Sequence, residues 1–365
     1  MKIGVPREIK VREYRVGMTP SGVRELIASG HQVLVEAAAG AGVGYEDAAY
    51  VDAGASIAAS AAEVFGTADL IVKVKEPQPA ECAMLRSGQT LFTYLHLAAA
   101  PEITRALMQS GATCIAYETV TDGRGGLPLL RPMSEIAGRM APQVGAYHLQ
   151  KAQGGCGVLL GGAAGVLPAK VAVLGGGIAG FHAADIAIGM RADVTILDIS
   201  LERLAELDRF FGGRAKTAHA SRANVLDAVN EAHLVIGAVL VPGASAPKLV
   251  RRSDLSALRR GAVLVDVAID QGGCFETSRP TTHDDPAYTV DGIVHYCVAN
   301  MPGAVARTST EALTQTTVGY VTQIAELGVT EALRTNPHLA DGLNIAEGRI
   351  THPGVAKAMA ADLAA

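Results

Sequence analysis

Charged residues and cysteines are scarce in this chain of 365 residues, and each shortage narrows what the protein can be. Only 18% of the residues are charged and 49% are hydrophobic, which excludes a disordered polypeptide and, at this length, predicts two packed domains. The net charge is −5, and there is no basic block or interleaved aromatic stripe, so we predict no nucleic-acid partner. The five cysteines form no C-x-x-C pair, which favours buried free thiols in a reducing cytoplasm over disulfides or a zinc site.

Long apolar runs and an apolar leader are missing as well. The N-terminal residues MKIGVPREIK contain no apolar signal core. The longest apolar stretches, near residues 159–173 and 234–242, are short or interrupted by Gly, Pro and Lys. We therefore expect a cytoplasmic protein without a membrane span. The low charge and the abundance of Ala and Gly also suggest that partner subunits cover part of the surface, so we expect a homo-oligomer.

One segment is far more informative than the rest, and it reads KVAVLGGGIAGFHAADIAIGMRADVTILD. Its pattern predicts a strand, a glycine turn, a helix and a second strand that ends at Asp198. Gly175, Gly177 and Gly180 fill the G-x-G-x-x-G template: the first permits a tight turn, the second a close approach of a pyrophosphate, and the third close packing of helix on strand. The helix N-terminus favours phosphates. Asp198 can accept hydrogen bonds from ribose hydroxyls and would repel a 2′-phosphate, which predicts NAD rather than NADP.

Strand and helix patterns alternate through both halves of the chain, which predicts the α/β class. The strand-like runs are residues 2–5, 32–36, 70–74, 90–95, 114–120, 171–174, 194–197, 234–239, 262–267 and 293–298, and the helical patterns include 101–110 and one that Thr19 and Pro20 begin and Gly30 ends. Residues 154–165 and 270–291 are predicted to be loops.

Two long helices, predicted at residues 133–153 and 308–327, flank the nucleotide-binding part. We therefore predict two doubly wound parallel-sheet domains, one of them a Rossmann dinucleotide-binding domain, joined by long helices. The substrate domain would comprise residues 1–130 and 308–365, and the NAD-binding domain residues 131–307. A cleft between the domains would hold the substrate.

A hydride-transfer enzyme acting on a small acid needs a cation, a donor that polarises a carbonyl or imine, and a group that moves protons. Arg15 has a planar fork that suits a carboxylate, and the alternative is an exposed arginine in a salt bridge. Lys75 ends a predicted strand and shares one face with Lys73, and the alternative is a solvated edge lysine. His96 can shuttle protons near neutral pH, although a histidine bonded to backbone is commoner.

Further candidates follow strands of the nucleotide-binding part. Asp270 is a second candidate for proton transfer and Asp266 competes with it, while either could be a cap or a turn acid. Asn300 could offer its amide to a nicotinamide carboxamide or could belong to a plain turn. Ser134 begins the predicted bridging helix and could contact a pyrophosphate or only cap the helix.

Taken together and in this order, several long motifs resemble the bacterial alanine dehydrogenases of the alanine dehydrogenase/pyridine nucleotide transhydrogenase family. They are VPREIKVREYRVGMTPSGV, VKVKEP, YLHLA, LGGGIAGFHAADIA, VTILD, VDVAIDQGG and VANMPGAVARTST. The resemblance spans residue 3 to about residue 360. It implies reversible oxidative deamination of L-alanine to pyruvate and ammonia with reduction of NAD, and a hexamer.

The resemblance also implies a role for each candidate. Arg15 would bind the substrate carboxylate, Lys75 would bind the substrate and polarise its carbonyl, and His96 and Asp270 would be the acid–base pair. Asp198 would hold the adenosine ribose. The full NAD site that it implies consists of Ser134, Gly175, Gly177, Ile178, Ala179, Gly180, Asp198, Arg203, Ser221, Val239, Leu240, Val267, Asp270, Val298, Asn300 and Met301. No metal is implied.

The chain departs from the family pattern at a few positions. Arg191 stands at a predicted helix end where Gly often adopts a left-handed conformation, and a non-Gly residue there costs up to about 1 kcal/mol. Phe181 and His182 follow the last motif glycine where the family more often has a Tyr- or Asn-type residue. Arg203 stands where a lysine is common, and an arginine near the 2′ position can accept a phosphate and so soften the exclusion of NADP.

Two alternative functions remain open from the sequence. One is an NAD(H)-binding subunit that passes hydride to a partner protein, as in transhydrogenases. The other is a related dehydrogenase that joins lysine to a keto acid in a larger pocket. A partner-dependent subunit would not need a carboxylate-binding cation and an acid–base pair, and a larger substrate pocket would mark the lysine enzyme. The alanine reaction is the main prediction.

Overall fold

The computed structural model describes residues 1–239 and 246–362. The chain divides into two compact units. Unit 1 contains Met1–Pro132 and Val305–Ala365, and unit 2 contains Met133–Ala304. The two longest described helices begin close to the points where the chain passes from one unit to the other.

The elements are numbered in chain order across the described residues. The strands are β1 Lys2–Val5, β2 Gln32–Glu36, β3 Ser56–Ala58, β4 Leu70–Val72, β5 Thr90–Thr93, β6 Thr113–Ala116, β7 Lys170–Leu174, β8 Asp193–Asp198, β9 Ala215–His219, β10 Leu234–Gly237, β11 Val263–Asp266, β12 Ala287–Val290, β13 Ile293–Tyr296, β14 Leu343–Ala346 and β15 Arg349–Ile350. The α-helices are α1 Pro20–Ala28, α2 Asp47–Asp52, α3 Ala61–Thr67, α4 Pro79–Cys82, α5 Pro101–Ser110, α6 Arg131–His148, α7 Ile178–Gly189, α8 Leu201–Phe211, α9 Arg222–Glu231, α10 Ala306–Leu327, α11 Val329–Thr335, α12 Pro337–Ala340 and α13 Pro353–Asp362.

Each unit is built on one sheet whose central strands are parallel. In unit 1 the strand order is β15-β14-β6-β5-β4-β1-β2-β3, and in unit 2 it is β12-β13-β11-β10-β7-β8-β9. Among the described strands, the antiparallel pairs are β12 with β13 in unit 2, and β14 with β15 and with β6 in unit 1. These pairs lie toward one edge of each sheet. Read from the first strand of each unit, the unit 1 sheet contains the order 3-2-1-4-5-6 of the Rossmann fold. In the unit 2 sheet β13 takes the sixth place, and β12 lies antiparallel beside it at the edge. The predicted α/β class with two doubly wound sheets is confirmed.

Burial explains why the central strands are apolar throughout. Every residue of β4, β5, β10 and β11 is buried, as expected for parallel strands covered by helices on both faces. In unit 1, Phe65, Leu91 and Leu107 belong to one buried cluster, and in unit 2 Val235 and Phe275 belong to another. Each unit therefore has its own hydrophobic core.

Helix ends follow the signals in the sequence. Thr19 caps α1, with its hydroxyl accepting a hydrogen bond from the Gly22 N–H at 3.2 Å, and proline occupies the first turn. Gly111 ends α5 in the left-handed conformation, with φ at 69°. Both predicted boundaries are confirmed.

Other boundaries were predicted wrongly. Strands end earlier than expected, at Val72, Thr93 and Ala116, although the residues that follow, such as Tyr94 and Tyr117, are still buried. Helix α6 stops at His148 and only a 3-10 turn follows, which the left-handed Gly154 closes. The predicted loop 270–291 contains β12, a short edge strand in which no residue is fully buried. The short or polar strands β3, β9, β14 and β15 were also missed, because none carries a long apolar run.

Arg191 has the left-handed conformation that its position suggested. Its φ is 66°, and its N–H donates to the Ile188 carbonyl at 2.8 Å just after α7. A side chain with a Cβ is strained in this region of backbone space, whereas glycine is not.

We therefore expect Arg191→Gly to raise the free energy of unfolding by about 0.5–1 kcal/mol. Urea denaturation followed by circular dichroism, at matched protein concentration, measures the change. Arg191→Ala is the control, since it removes the exposed side chain but keeps the Cβ, and we expect no comparable gain from it. Equal stabilisation by both variants would show that the side chain, and not the backbone strain, is responsible.

Candidate functional site: two sets of residues at the carboxyl ends of parallel strands

The three predicted residues of unit 1 follow the carboxyl ends of three strands that are neighbours in the sheet. Arg15 lies beyond β1, Lys75 beyond β4 and His96 beyond β5, and the sheet order brings these strands together as β1-β4-β5. The pair β1 and β4 is also the point where the strand order reverses. Open α/β sheets bind ligands in the crevice at this point.

Arg15 is buried and held by a glutamate that was not predicted to belong to the site. Its Nε and Nη2 donate to the two carboxylate oxygens of Glu13, each at 2.6 Å. Burial acts to lower the pKa of Arg15, but hydrogen bonds and charge from Glu13 outweigh it and raise the pKa above its ordinary value. Arg15 is therefore a fixed, permanently charged group rather than an exposed arginine, and the ion pair uses two of its five N–H donors.

Lys73 and Lys75 have different environments, so the predicted sharing of one strand face is wrong. Strand β4 ends at Val72, before both lysines. Lys73 is fully buried, with Nζ 2.7 Å from Glu81 Oε1 and 3.1 Å from Glu8 Oε2. Burial opposes the charge on Lys73, but the two carboxylates raise its pKa. Lys73 is therefore an internal structural cation.

Lys75 is half-buried and lies on backbone that Glu8 holds. The Oε1 atom of Glu8 accepts hydrogen bonds from the N–H groups of Val74 at 2.7 Å and Lys75 at 3.4 Å. Burial of Glu8 raises its pKa despite the charge of Lys73. Burial also acts to raise the pKa of Glu13, but Arg15 chiefly, with a contribution from the charge of Lys75, lowers it. Lys75 and the Arg15–Glu13 pair therefore belong to one electrostatic group.

His96 stands in a strained turn that a carboxylate supports. Its φ is 49°, and its N–H donates to Glu118 Oε1 at 2.6 Å. Its Nδ1 atom is 3.9 Å from the same oxygen, and the imidazole stacks on Tyr94 with ring centroids 5.9 Å apart. The side chain is 41% exposed, so the imidazole can exchange protons with solvent. Glu118, which also accepts from the Leu95 N–H at 3.2 Å, was not predicted.

In unit 2 each motif glycine has the geometry that the template requires. Gly175 has φ at 98°, and a Cβ built on Gly180 would lie 1.8 Å from the Gly175 carbonyl oxygen. A Cβ built on Gly177 would have no atom of the described residues within 4 Å. The turn thus leaves open space at the N-terminus of α7, next to backbone N–H groups, which is the environment that a pyrophosphate needs. The residues fit a bound dinucleotide.

Asp198, at the end of β8, is part of the same turn. Its Oδ2 accepts a hydrogen bond from the Gly176 N–H at 2.7 Å, and its Oδ1 accepts one from the Ser200 N–H at 2.8 Å. Arg203 donates through Nε to the Gly176 carbonyl at 2.8 Å. Asp198 and Arg203 thereby flank one residue of the glycine turn.

The remaining predicted NAD residues lie along the carboxyl edge of the unit 2 sheet or beside it. Ile178 and Ala179 begin α7, and Ser134 precedes by one turn the α6 residue Gly138, where an added Cβ would be 2.2 Å from the Ala179 carbonyl oxygen. The others follow the strand ends: Ser221 after β9, Val239 after β10, Val267 and Asp270 after β11, and Val298, Asn300 and Met301 after β13. Leu240 lies outside the described residues.

The two candidate acids after β11 differ sharply. Asp266 is fully buried and accepts hydrogen bonds from the N–H groups of Ala268 and Cys274 and from the Ser278 hydroxyl. Burial raises its pKa, although these hydrogen bonds act to lower it. Asp266 thus holds the following turn together. Asp270 is exposed in a 3-10 helix, so it is the accessible acid.

The cysteine side chains are free thiols in the described residues. The five cysteines are free, four are buried and Cys156 is half-buried. Burial raises the pKa of Cys82 to about 11 and that of Cys114 to about 12. Within residues 1–239 and 246–362, no group of three or more His, Cys, Asp or Glu side chains could hold a metal ion. A search of the same residues finds no helix long and apolar enough to span a membrane.

The contact between Gly180 and Gly175 leads to a direct test. We expect Gly180→Ala to lower the free energy of unfolding of the protein by about 2–3 kcal/mol, because the new methyl group meets a backbone carbonyl. The control is Gly189→Ala at the exposed end of the same helix, where an added Cβ has no described neighbour within 4 Å and should stabilise by about 0.5–1 kcal/mol. Thermal unfolding measures both, and two changes of the same sign would contradict the proposed contact.

Comparison with known proteins covers both units. The family model for the alanine dehydrogenase/PNT N-terminal domain matches residues 4–137, and the model for the C-terminal domain matches residues 141–353. Curated proteins named alanine dehydrogenase are similar over 98% of this chain: those of Halomonas elongata (59% identity, 96% of its length), Mycobacterium tuberculosis (55%, 96%) and Bacillus subtilis (54%, 94%).

Solved structures agree with the sequence comparison. An L-alanine dehydrogenase structure has a TM-score of 0.96 and 51% identity, with 99% of each chain covered. A transhydrogenase from Sinorhizobium meliloti is more distant, with a TM-score of 0.81 and 26% identity over 97% of this chain and 99% of its own. The predicted resemblance is confirmed, and the chain belongs to the alanine dehydrogenase/PNT family.

Proposed function

We propose that this protein is an NAD-dependent L-alanine dehydrogenase, which converts L-alanine, NAD and water reversibly to pyruvate, ammonia and NADH. One observation carries the proposal. Arg15, Lys75 and His96 follow three adjacent parallel strands, so a carboxylate-binding cation, a carbonyl-polarising cation and a proton carrier share one sheet edge. This set occurs in a chain that is 53–59% identical to proteins named alanine dehydrogenase.

Unit 1 is proposed as the substrate domain and unit 2 as the NAD-binding domain. When bound, NAD supplies the hydride acceptor for the α-carbon of alanine. The glycine turn would receive its pyrophosphate, and Asp198 would accept hydrogen bonds from the adenosine ribose. Ser134, Asn300 and the residues after β10, β11 and β13 would complete the site. Asp198 favours NAD over NADP because a carboxylate repels a 2′-phosphate.

Arg15 and Lys75 are proposed to bind the substrate. The Arg15 guanidinium would hold the substrate carboxylate, and Glu13 keeps that guanidinium in one orientation. Lys75 would stabilise the oxygen that gains negative charge on the carbonyl or carbinolamine carbon. The Arg15 guanidinium keeps its charge, so it positions the substrate without taking part in proton exchange.

His96 and Asp270 are proposed to share the proton transfers. In deamination a base takes a proton from the amino nitrogen as hydride leaves the α-carbon, which yields an iminium. Water then attacks the iminium carbon and loses a proton, and the carbinolamine expels ammonia to leave pyruvate. A neutral His96 and an ionised Asp270 suit this direction. Asp266 is not proposed, because its carboxylate is buried and occupied by the turn after β11.

Assembly and location are part of the proposal. We propose a cytoplasmic homo-oligomer, and a hexamer as its state, with no nucleic-acid or membrane partner. The free cysteines support a reducing compartment, and apolar side chains such as Leu159 and Leu167, which are 70% and 87% exposed, support burial against another subunit.

The decisive experiment measures NADH formation at 340 nm with purified protein, NAD and L-alanine, with NADP and a panel of other amino acids run in parallel. We expect rapid turnover with L-alanine and NAD and no need for a partner protein. NADH binding without turnover of any amino acid would contradict the dehydrogenase proposal. It would favour the alternative, a hydride-transfer subunit of a transhydrogenase-like complex. The more distant of the two similar structures is a transhydrogenase.

Asp270→Asn tests the acid–base assignment in the same assay. We expect kcat to fall by about 10²-fold or more, because general acid–base catalysis contributes on that scale. NADH affinity reports whether the variant keeps its nucleotide site. The control is Asp52→Asn at the exposed end of α2, which should leave kcat unchanged. A kcat for Asp270→Asn within threefold of the parent value would remove Asp270 from the mechanism.

Arg15→Lys tests the carboxylate contact. Lysine cannot form the planar fork, so we expect KM for L-alanine and pyruvate to rise about tenfold or more. Arg24→Lys on the exposed face of α1 is the matched control. An unchanged KM in an Arg15→Lys protein that still binds NADH would show that another cation holds the carboxylate.

A further inference from the structure

Arg203 places a positive charge at the edge of the glycine turn, and its guanidinium contacts three neighbouring residues. The residue lies in the first turn of α8, and its side chain is 34% exposed. Nε donates to the Gly176 carbonyl at 2.8 Å, and Nη1 donates to Glu206 Oε2 at 2.7 Å. The guanidinium carbon lies 5.8 Å from the centroid of the Phe181 ring. Three neighbours therefore fix the guanidinium.

The same residue, Gly176, also donates its N–H to Asp198. Arg203 and Asp198 are thus anchored to the two ends of one peptide residue, and Asp198 is the acid proposed to hold the adenosine ribose. In Rossmann domains an arginine close to this acid is the group that accommodates the 2′-phosphate of NADP. Arg203 has the chemistry for that contact and lies beside the same turn residue as Asp198, but its guanidinium already has other partners.

The geometry points to Glu206 as a residue that determines cofactor specificity. This inference rests on the proposed function, because it concerns the ribose end of the same nucleotide site. Glu206 pairs with Arg203 from one turn further along α8, which holds the guanidinium on the glycine turn and offsets its charge. Asp198 repels a 2′-phosphate, and Glu206 withholds the cation that would otherwise attract it. Exclusion of NADP therefore depends on both carboxylates.

The pair can be opened without damage to the fold. Glu206 is 48% exposed, and an exposed ion pair adds little to stability. Glu206→Gln removes the negative charge, frees Arg203 to swing toward a phosphate, and preserves the shape of the side chain. Because the interaction is exposed, we expect a change in affinity of about fivefold rather than a complete switch, and we expect it to shrink as salt is added.

The test compares the binding of NADH and NADPH to the full-length protein and its variants. The chain contains no tryptophan, so binding is followed through direct excitation of the reduced nicotinamide, independently of enzyme activity. We expect Glu206→Gln to lower the ratio of the NADPH Kd to the NADH Kd about fivefold. The matched control, Glu202→Gln, removes an exposed carboxylate from the first turn of α8, the turn that contains Arg203, and should leave the ratio unchanged. Glu206→Gln combined with Arg203→Met should lose the gain.

Four results would overturn the inference. An unchanged ratio in Glu206→Gln would show that Glu206 does not restrain Arg203. Equal gains from Glu202→Gln and Glu206→Gln would assign the effect to net charge. A gain that survives Arg203→Met would exclude the arginine as the phosphate-binding group. If the protein does not oxidise L-alanine, the proposed function is rejected, but the binding ratios still test the inference. If the parent protein binds neither NADH nor NADPH, the inference itself is rejected.

Discussion

Parallel pairing of the central strands is the constraint on which the rest of this structure depends. A parallel strand ends at the same edge of the sheet as its neighbours, so the segments that follow β1, β4 and β5 begin side by side although they are far apart in sequence. Arg15, Lys75 and His96 lie on these segments. In unit 2 the same rule collects the glycine turn, Val239, Asp270 and Asn300 at one edge. Reversal of strand order between β1 and β4, and between β7 and β10, opens the crevice in each unit.

Three glutamates convert this rough placement in unit 1 into fixed geometry. Glu13 holds the Arg15 guanidinium, Glu8 holds the backbone of Lys75, and Glu118 holds the turn of His96. Buried ion pairs rarely stabilise a fold, since desolvation offsets much of the attraction, and removal of one partner leaves the other charge buried and unpaired. The value of these glutamates is therefore positional: Glu13 orients the Arg15 guanidinium, and Glu8 and Glu118 hold the backbone of Lys75 and His96.

The sequence predicted the nucleotide-binding unit better than the other, for a physical reason. Gly175, Gly177 and Gly180 act through local backbone geometry, so their spacing carries the information, and the contact between Gly180 and the Gly175 carbonyl agrees with it. Glu8 contacts Lys73 from 65 residues away in sequence, and Glu81 contacts it from the following helix, α4, so no repeating local pattern marks either glutamate. A polar strand such as β9 is also invisible to a search for apolar runs, because its half-exposed residues derive their order from pairing with β8.

The proposed functional groups are either buried or exposed, and this difference agrees with the role proposed for each group. A group that binds a carboxylate has to remain charged. Arg15 is buried against Glu13, which raises the pKa of the guanidinium and so keeps Arg15 charged. A group that gives and takes protons in every turnover has to exchange them with solvent, and His96 and Asp270 are both exposed. Asp266 is buried and bonded to the turn after β11, so we do not propose it for proton transfer. Exposure thus distinguishes Asp270 from Asp266, which sequence spacing alone could not do.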